Sequence, residues 1–265
     1  MWPVWAQLDL FGRPLLLTGY GVFAILGAVL GTYLSVRTAR RLGFPAFDAF
    51  AACALAVAFG LIGAKALFLT VSIPRIRAEG WGPFLGQGGL VWYGGLFGGG
   101  AAALVYLKAF RLDLARFLDL ATPGLAVGHA FGRIGCLMGG CCHGKPTALP
   151  WGVRFPESPF FGGPAGVPLH PVQLYEALAE LALAAVAWRL VGRVRRGTGF
   201  GLWLLGYGAV RLVMELAFRD DDRGAGLFGL PPSALLSLAA IGAGVALIAR
   251  RSAASSGLTT ETKVV

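Results

Sequence analysis

Seven apolar runs, roughly 15–36, 47–71, 88–107, 117–140, 171–190, 199–218 and 231–249, constrain this chain more than any other feature. Each approaches the length of helix that crosses a bilayer. Hydrophobic residues make up 56% of the 265, charged residues only 14%, and the mean hydropathy is +0.70. That composition excludes an ordinary soluble domain. The expected fold is an all-α integral membrane protein with seven transmembrane helices, forming one domain over 1–251 with a polar cytoplasmic tail at 252–265. Residues 1–14 hold two tryptophans beside polar groups and read as an interfacial segment. With no basic region before the first apolar run and no small-residue cleavage site, no removable signal peptide is expected.

A net charge of +10 raises the question of nucleic acid. The basic residues, however, stand at the ends of apolar runs, where they act as topology signals and headgroup contacts. The larger share, including Arg37, Arg40, Arg41, Lys108, Arg111, Arg116, Arg189, Arg193, Arg195 and Arg196, falls on one side of a seven-span arrangement. The positive-inside rule makes that side cytoplasmic, with the N-terminus outside and the C-terminus inside. The connection over 141–170 then faces outward. No nucleic-acid partner is expected.

Three cations interrupt the apolar runs: Lys65, Arg133 and Arg211. A cation at mid-depth costs at least about 2.5–3.5 kcal/mol, so each needs an anionic partner, a watery cavity or a path to the headgroups. Arg133 lies in GHAFGRIGC, where glycines permit close backbone approach and His129 stands one helical turn before it. Snorkelling to the headgroups is the bland account, and the expected reading is a buried cation waiting for a phosphate. The sixth run spaces Tyr207, Arg211 and Glu215 by four, placing them on one face that must turn away from lipid. A structural ion pair is the bland account of that face. Asp220, Asp221 and Asp222, with Arg219 and Arg223, read as a solvated outward turn. In the fifth run, Gln173, Glu176 and Glu180 form a polar stripe after His170. Eight glycines in GQGGLVWYGGLFGGG (86–100) suit a close helix seam or a role at a ligand site, and the charged features of the neighbouring spans favour the ligand site; Trp92 and Tyr93 read as interface aromatics. Tyr20, near the start of the first run, suits an aromatic belt or a ligand.

Cys136, Cys141, Cys142 and His143 invite zinc, but C-x4-C-C-H is a poor match to the usual paired spacing. No metal and no cofactor are expected. The cysteines read either as an oxidised outward pair or as free, small apolar groups, and Cys53 as packing.

GGLVWYGGLFGG, GRIGC, KPT…WGV, HPVQLYE and YGAVRLVMELAFR, in that order, resemble the phosphatidylglycerol–prolipoprotein diacylglyceryl transferase family over about residues 15–224. The resemblance implies a multi-pass protein of the bacterial inner membrane with its site open to the outer leaflet. The implied partners are phosphatidylglycerol, the lipobox cysteine of a prolipoprotein signal peptide, and membrane lipid. The implied reaction moves a diacylglyceryl group to that thiol and releases glycerol phosphate. Carried over by position, the family's arginines fall on Arg133 and Arg211, its tyrosines on Tyr20 and Tyr207, and its glutamate on Glu215. A family histidine falls on Tyr93. Cys136, Gly139 and Cys141 stand where the family has Asn, Asn and Glu, while Lys65 and Lys145 replace arginines. The expected catalytic set is Arg133, Arg211, Tyr93, His129 and Glu215. Tyr20, Lys65, Tyr207, Cys136, Cys141, His170 and Glu176 are expected to bind substrate. Candidate bases for the acceptor thiol, whose free pKa is about 8.5, are His129, His170, Glu215 and Tyr93, with His129 first for its place beside Arg133. Two rival readings are transfer to a different acceptor, and a non-catalytic lipid-binding protein with a structural or redox cysteine cluster.

Overall fold

The structure, a computed structural model, describes residues 4–10, 13–85, 89–157, 164–219 and 229–256. Strands β1 (Val4–Leu10) and β2 (Arg13–Thr18) form an antiparallel hairpin, followed by helices α1 (Gly19–Arg41) and α2 (Ala46–Val71). Two short helices, α3 (Ile73–Glu79) and α4 (Gly82–Leu85), lead to α5 (Trp92–Ala109) and α6 (Leu114–Met138). A small pair, β3 (Val153–Arg154) and β4 (Pro168–Leu169), precedes α7 (Val172–Leu190). Helix α8 (Thr198–Val213) widens into a π turn at Met214–Phe218, and α9 (Pro232–Ser256) closes the order. The expected interfacial segment is therefore a hairpin from Val4 onward, with Trp5 edge-on to Phe23. The turn at Asp220–Asp222 and Arg223 lies outside the described residues, as does the tail beyond Ser256.

All seven runs are helical, but the expectation of seven transmembrane helices is corrected. Among the described residues, four helices have the length and apolarity to cross a membrane: Gly19–Arg41, Ala46–Val71, Thr198–Phe218 and Pro232–Ala249. The chain is thus a mainly α-helical, multi-span membrane protein. An apolar run read from sequence overlooks what dilutes it. Helix α5 is rich in glycine, α6 carries Arg116, Asp119, His129 and Arg133, and α7 carries Glu176, Glu180 and Arg189.

Packing follows a row. Helix α5 lies on α2, α2 on α1, α1 on α6, α6 on α7, α7 on α8 and α8 on α9. Three of these contacts are glycine seams, α8–α9 through Gly201 and Gly244 among them. On α1 and α6, Gly27 and Gly31 meet Gly128 and Gly124 backbone to backbone. The glycines of α5 meet Gly60 and Gly63 of α2 in the same way. The glycine-rich run is accordingly a packing device. Replacing Gly124 by Ala drives a Cβ into the Gly31 carbonyl, so it should cost about 1–3 kcal/mol. The same change at Gly132, where nothing lies within 4 Å, should be neutral by thermal unfolding in detergent. Equal effects at both positions would mean that the seam is not tight.

The two ends of the bundle differ. At one end Arg41 donates to the Val191 carbonyl (3.4 Å), Arg116 to the Leu42 carbonyl, and Arg196 pairs with Asp113 (2.7 Å). Here the basic links α1–α2, α5–α6 and α7–α8 gather. Buried Asp119 accepts from the Phe200 amide (2.9 Å) and the Gly197 amide, fixing the start of α8 to α6. The opposite end holds the β1–β2 hairpin and the 139–171 connection, tied down by the Lys145 amide on the Phe218 carbonyl (2.8 Å).

Candidate active site

Glu176, 3% exposed, stands at the centre of the charge carried by α6, α7 and α8. Its Oε2 lies 2.5 Å from Arg133 Nε, and its Oε1 lies 2.6 Å from Arg211 Nη1 and 3.5 Å from Arg219 Nη2. Glu215 approaches Arg211 (3.2 Å) and Arg219 (3.7 Å) from the π turn. Arg133 does not snorkel; it is 8% exposed and aimed into the bundle. Within this group three guanidiniums face two carboxylates, leaving one positive charge. Arg133 Nη2 is buried with no hydrogen-bond partner, which normally costs 1–3 kcal/mol or more for a charged group. A buried, incompletely paired guanidinium fork is suited to two oxygens of an anion.

A second group adjoins it. Glu180 accepts from Trp203 Nε1 (3.0 Å), and its other oxygen lies 2.8 Å from His129 Nδ1. The His129 ring is edge-on to Tyr207, which stacks on Trp203. When Nδ1 donates to Glu180, Nε2 is left as the accepting nitrogen, the arrangement of a positioned base.

The third group is sulfur. The Sγ atoms of Cys136, Cys141 and Cys142 lie within 4.8 Å of one another, and no cysteine is oxidised. The end of α6 accounts for this. The Cys141 amide bonds to the Cys136 carbonyl (3.1 Å) and the Gly140 amide to the Leu137 carbonyl (3.2 Å), with Gly140 at φ +63°. This is a Schellman cap, whose geometry brings together the side chains five residues apart that flank it. Cys142, at φ +62°, turns its thiol back to the same place at a local cost of about 1–2 kcal/mol. Gln173 Nε2 holds the Cys141 carbonyl (2.8 Å) and Arg219 Nη2 the Cys142 carbonyl (3.4 Å). Hydrogen bonds from Cys136 and Cys141, then the charges of Arg133 and Arg219, pull the Cys142 thiol down from its ordinary pKa.

Of the expected residues, Arg133, Arg211, Glu215, Glu176, His129, Tyr207, Cys136 and Cys141 come together on α6, α7, α8 and the loop after α6. Tyr20 packs on Gly135 from α1, beside them. His170 stands at the edge, 3.3 Å from the Tyr175 hydroxyl and edge-on to Phe218. Lys65 lies over the Phe68 ring and Tyr93 edge-on to Trp92, both on the α2–α5 pair rather than among α6–α8. Sequence reasoning missed Arg219, which it placed in an outward turn; the side chain is 3% exposed and paired with Glu176 and Glu215. Its signal was present: Tyr207, Arg211, Glu215 and Arg219 recur every fourth residue. Glu180 and Gln173 were visible only as a stripe, and Trp203 not at all.

A model of prolipoprotein diacylglyceryl transferases matches residues 9–250. The chain belongs to the prolipoprotein diacylglyceryl transferase family. It is similar to the phosphatidylglycerol–prolipoprotein diacylglyceryl transferase of Clostridium tetani, 34% identical over 223 residues, covering 82% of this chain and 85% of that relative. A relative of the same name, numbered 2, in Clostridium perfringens is 30% identical over 82% of this chain and 84% of its own length. That of Geobacter sulfurreducens is 31% identical over 80% and 81%. Family membership makes the protein a membrane transferase of the diacylglyceryl type, and the cysteine cluster distinguishes it.

Proposed function

We propose that the protein transfers the diacylglyceryl group of phosphatidylglycerol to the lipobox cysteine thiol of a prolipoprotein and releases glycerol phosphate. The observation that carries this reading is the buried Arg133–Glu176–Arg211–Arg219–Glu215 group, in which the Arg133 fork keeps a buried Nη2 with no hydrogen-bond partner, suited to a phosphodiester oxygen. In the reaction the thiolate attacks the glyceryl carbon, and the carbon–oxygen bond to phosphate breaks. The leaving oxygen gains a negative charge, which Arg133 and Arg211 stabilise more strongly than the starting diester. His129, oriented by Glu180, receives the thiol proton, and Tyr20 and Tyr207 flank the headgroup. Lys65, Tyr93 and His170 stand outside this group and are left to lipid or peptide contacts. The protein sits in the bacterial inner membrane with the site opening at the outer leaflet. Two features support that placement: the charged group lies among α6–α8, and the basic links gather at one end of the bundle while the 139–171 connection closes the other.

The test uses purified protein with phosphatidylglycerol labelled in its headgroup glycerol. Glycerol phosphate should be released only when a lipobox peptide is present, and the peptide should gain a diacylglyceryl thioether at its cysteine. In intact spheroplasts, an impermeant form of the peptide supplied outside should be modified. Release that ignores the peptide would point to a different acceptor. Modification only in inverted vesicles would reverse the leaflet.

A further inference from the structure

We infer that Cys136, Cys141 and Cys142 form a trithiolate site for a thiophilic divalent cation of the zinc class, whose remaining position takes the acceptor thiol. The second half rests on the transfer reaction proposed above.

The three Sγ atoms already lie within 4.8 Å of one another. Zinc–sulfur bonds of about 2.3 Å put tetrahedral sulfurs roughly 3.8 Å apart, so only a small closure is needed. The backbone that gathers them is held before any ion arrives. The Schellman cap pairs Cys136 with Cys141, and the left-handed Cys142 brings in the third thiol. Gln173 and Arg219 clamp the two carbonyls of the loop. The sequence spacing, which fits a two-cysteine knuckle poorly, is therefore the spacing that this cap requires.

The donor set selects the ion. All-sulfur ligation favours zinc-like or softer ions over magnesium or calcium, which take oxygen. A divalent ion with three thiolates carries one net negative charge. Arg219 donates to the Cys142 carbonyl, and Arg133 lies one turn before Cys136, so that charge has neighbours of the right sign. The nearest histidine does not complete the shell. His143 Nδ1 is 3.2 Å from the Gly144 carbonyl, and its ring faces Phe155. Three protein ligands with one open position are the pattern of catalytic rather than structural zinc.

An open position here has a use. The acceptor must react as thiolate, and a thiol bound to zinc is deprotonated. On coordination the acceptor thiol loses its proton, the same one received by His129. The bound thiolate donates its electron pair to the glyceryl carbon, forming the carbon–sulfur bond. The carbon–oxygen bond breaks, and its electron pair leaves with the phosphate, turning the diester monoanion into the glycerol phosphate dianion. The product thioether is neutral and a weak ligand, so the position is freed.

The experiment loads the chelator-washed, reduced protein with zinc or with cobalt. One zinc per chain should be retained through gel filtration, and cobalt should give sulfur-to-metal charge-transfer absorption. Adding a lipobox peptide should change the cobalt spectrum, and the same peptide with Ser for its cysteine should not. Cys136→Ser, Cys141→Ser and Cys142→Ser should each lower metal affinity and transfer by at least about tenfold, while Cys53→Ser changes neither. The spectrum of the unmutated protein decides the metal site even where a variant fails to fold. Absence of stoichiometric metal, or metal retained when all three cysteines are serine, overturns the site. A spectrum indifferent to the peptide thiol overturns the acceptor role. The cobalt readout is independent of turnover. A protein that binds the metal but releases no glycerol phosphate loses the transfer reading and the acceptor role built on it, and keeps the site. One that turns over normally without metal loses the metal's role and keeps the transfer reading.

Discussion

Replacing Glu176 by Gln is expected to destabilise the protein by about 3–5 kcal/mol, the largest loss of any single polar change in the bundle. Glu176 is the one carboxylate that Arg133, Arg211 and Arg219 share. Without its charge, three guanidiniums keep Glu215 alone within the group, and the excess of buried positive charge grows by one. The amide keeps the size and part of the hydrogen bonding, so the loss reports charge rather than a cavity. Thermal unfolding in a neutral detergent should show a large fall in midpoint. Phosphatidylglycerol should recover more stability in the variant than in the parent, because an anionic headgroup replaces the missing charge. A variant as stable as the parent would mean that water already reaches the arginines, and that the group is not a dry anion site.

The helices were legible because charge marks their ends: each apolar run lies within a few residues of the helix that forms. What apolarity alone could not convey is that α6 and α7 are built around charge, with Asp119, Arg133, Glu176 and Glu180 buried among their neighbours. The same difficulty hid Arg219. A run reading RDDDR looks like a solvated turn, yet its first residue caps the preceding helix. In an α-helix every fourth residue drifts about 40° around the axis, so Tyr207, Arg211, Glu215 and Arg219 would gradually leave a common face. The wider π turn at Met214–Phe218 offsets that drift, and Arg219 stays on Glu215 and Glu176. A π turn has no plain sequence signature. The cysteines illustrate a different gap. Their spacing fits metal motifs poorly; the informative residues are Gly139 and Gly140, which cap α6 and fold Cys141 onto Cys136.

Arg133→Gln should leave the fold intact and lower kcat by about 10²–10³-fold. The stability half follows from the charge count. Removing Arg133 leaves Arg211 and Arg219 against Glu176 and Glu215, two charges of each sign within that group. This is the opposite of the Glu176 change, although the two residues are partners in one ion pair. The kinetic half follows from where charge develops. The diester carries one negative charge before reaction and the departing glycerol phosphate carries two, so a fixed cation is worth more in the transition state than in the bound substrate. The loss should fall mainly on kcat and only modestly on KM. Arg133→Lys restores the charge but not the planar fork, and should recover only part of the rate. Measuring glycerol phosphate release and unfolding midpoints for both variants separates the outcomes. A stable Arg133→Gln protein that turns over at the parent rate would take Arg133 out of the reaction and leave it a structural ion pair. A variant that fails to fold would show instead that the charge count of the buried group is wrong.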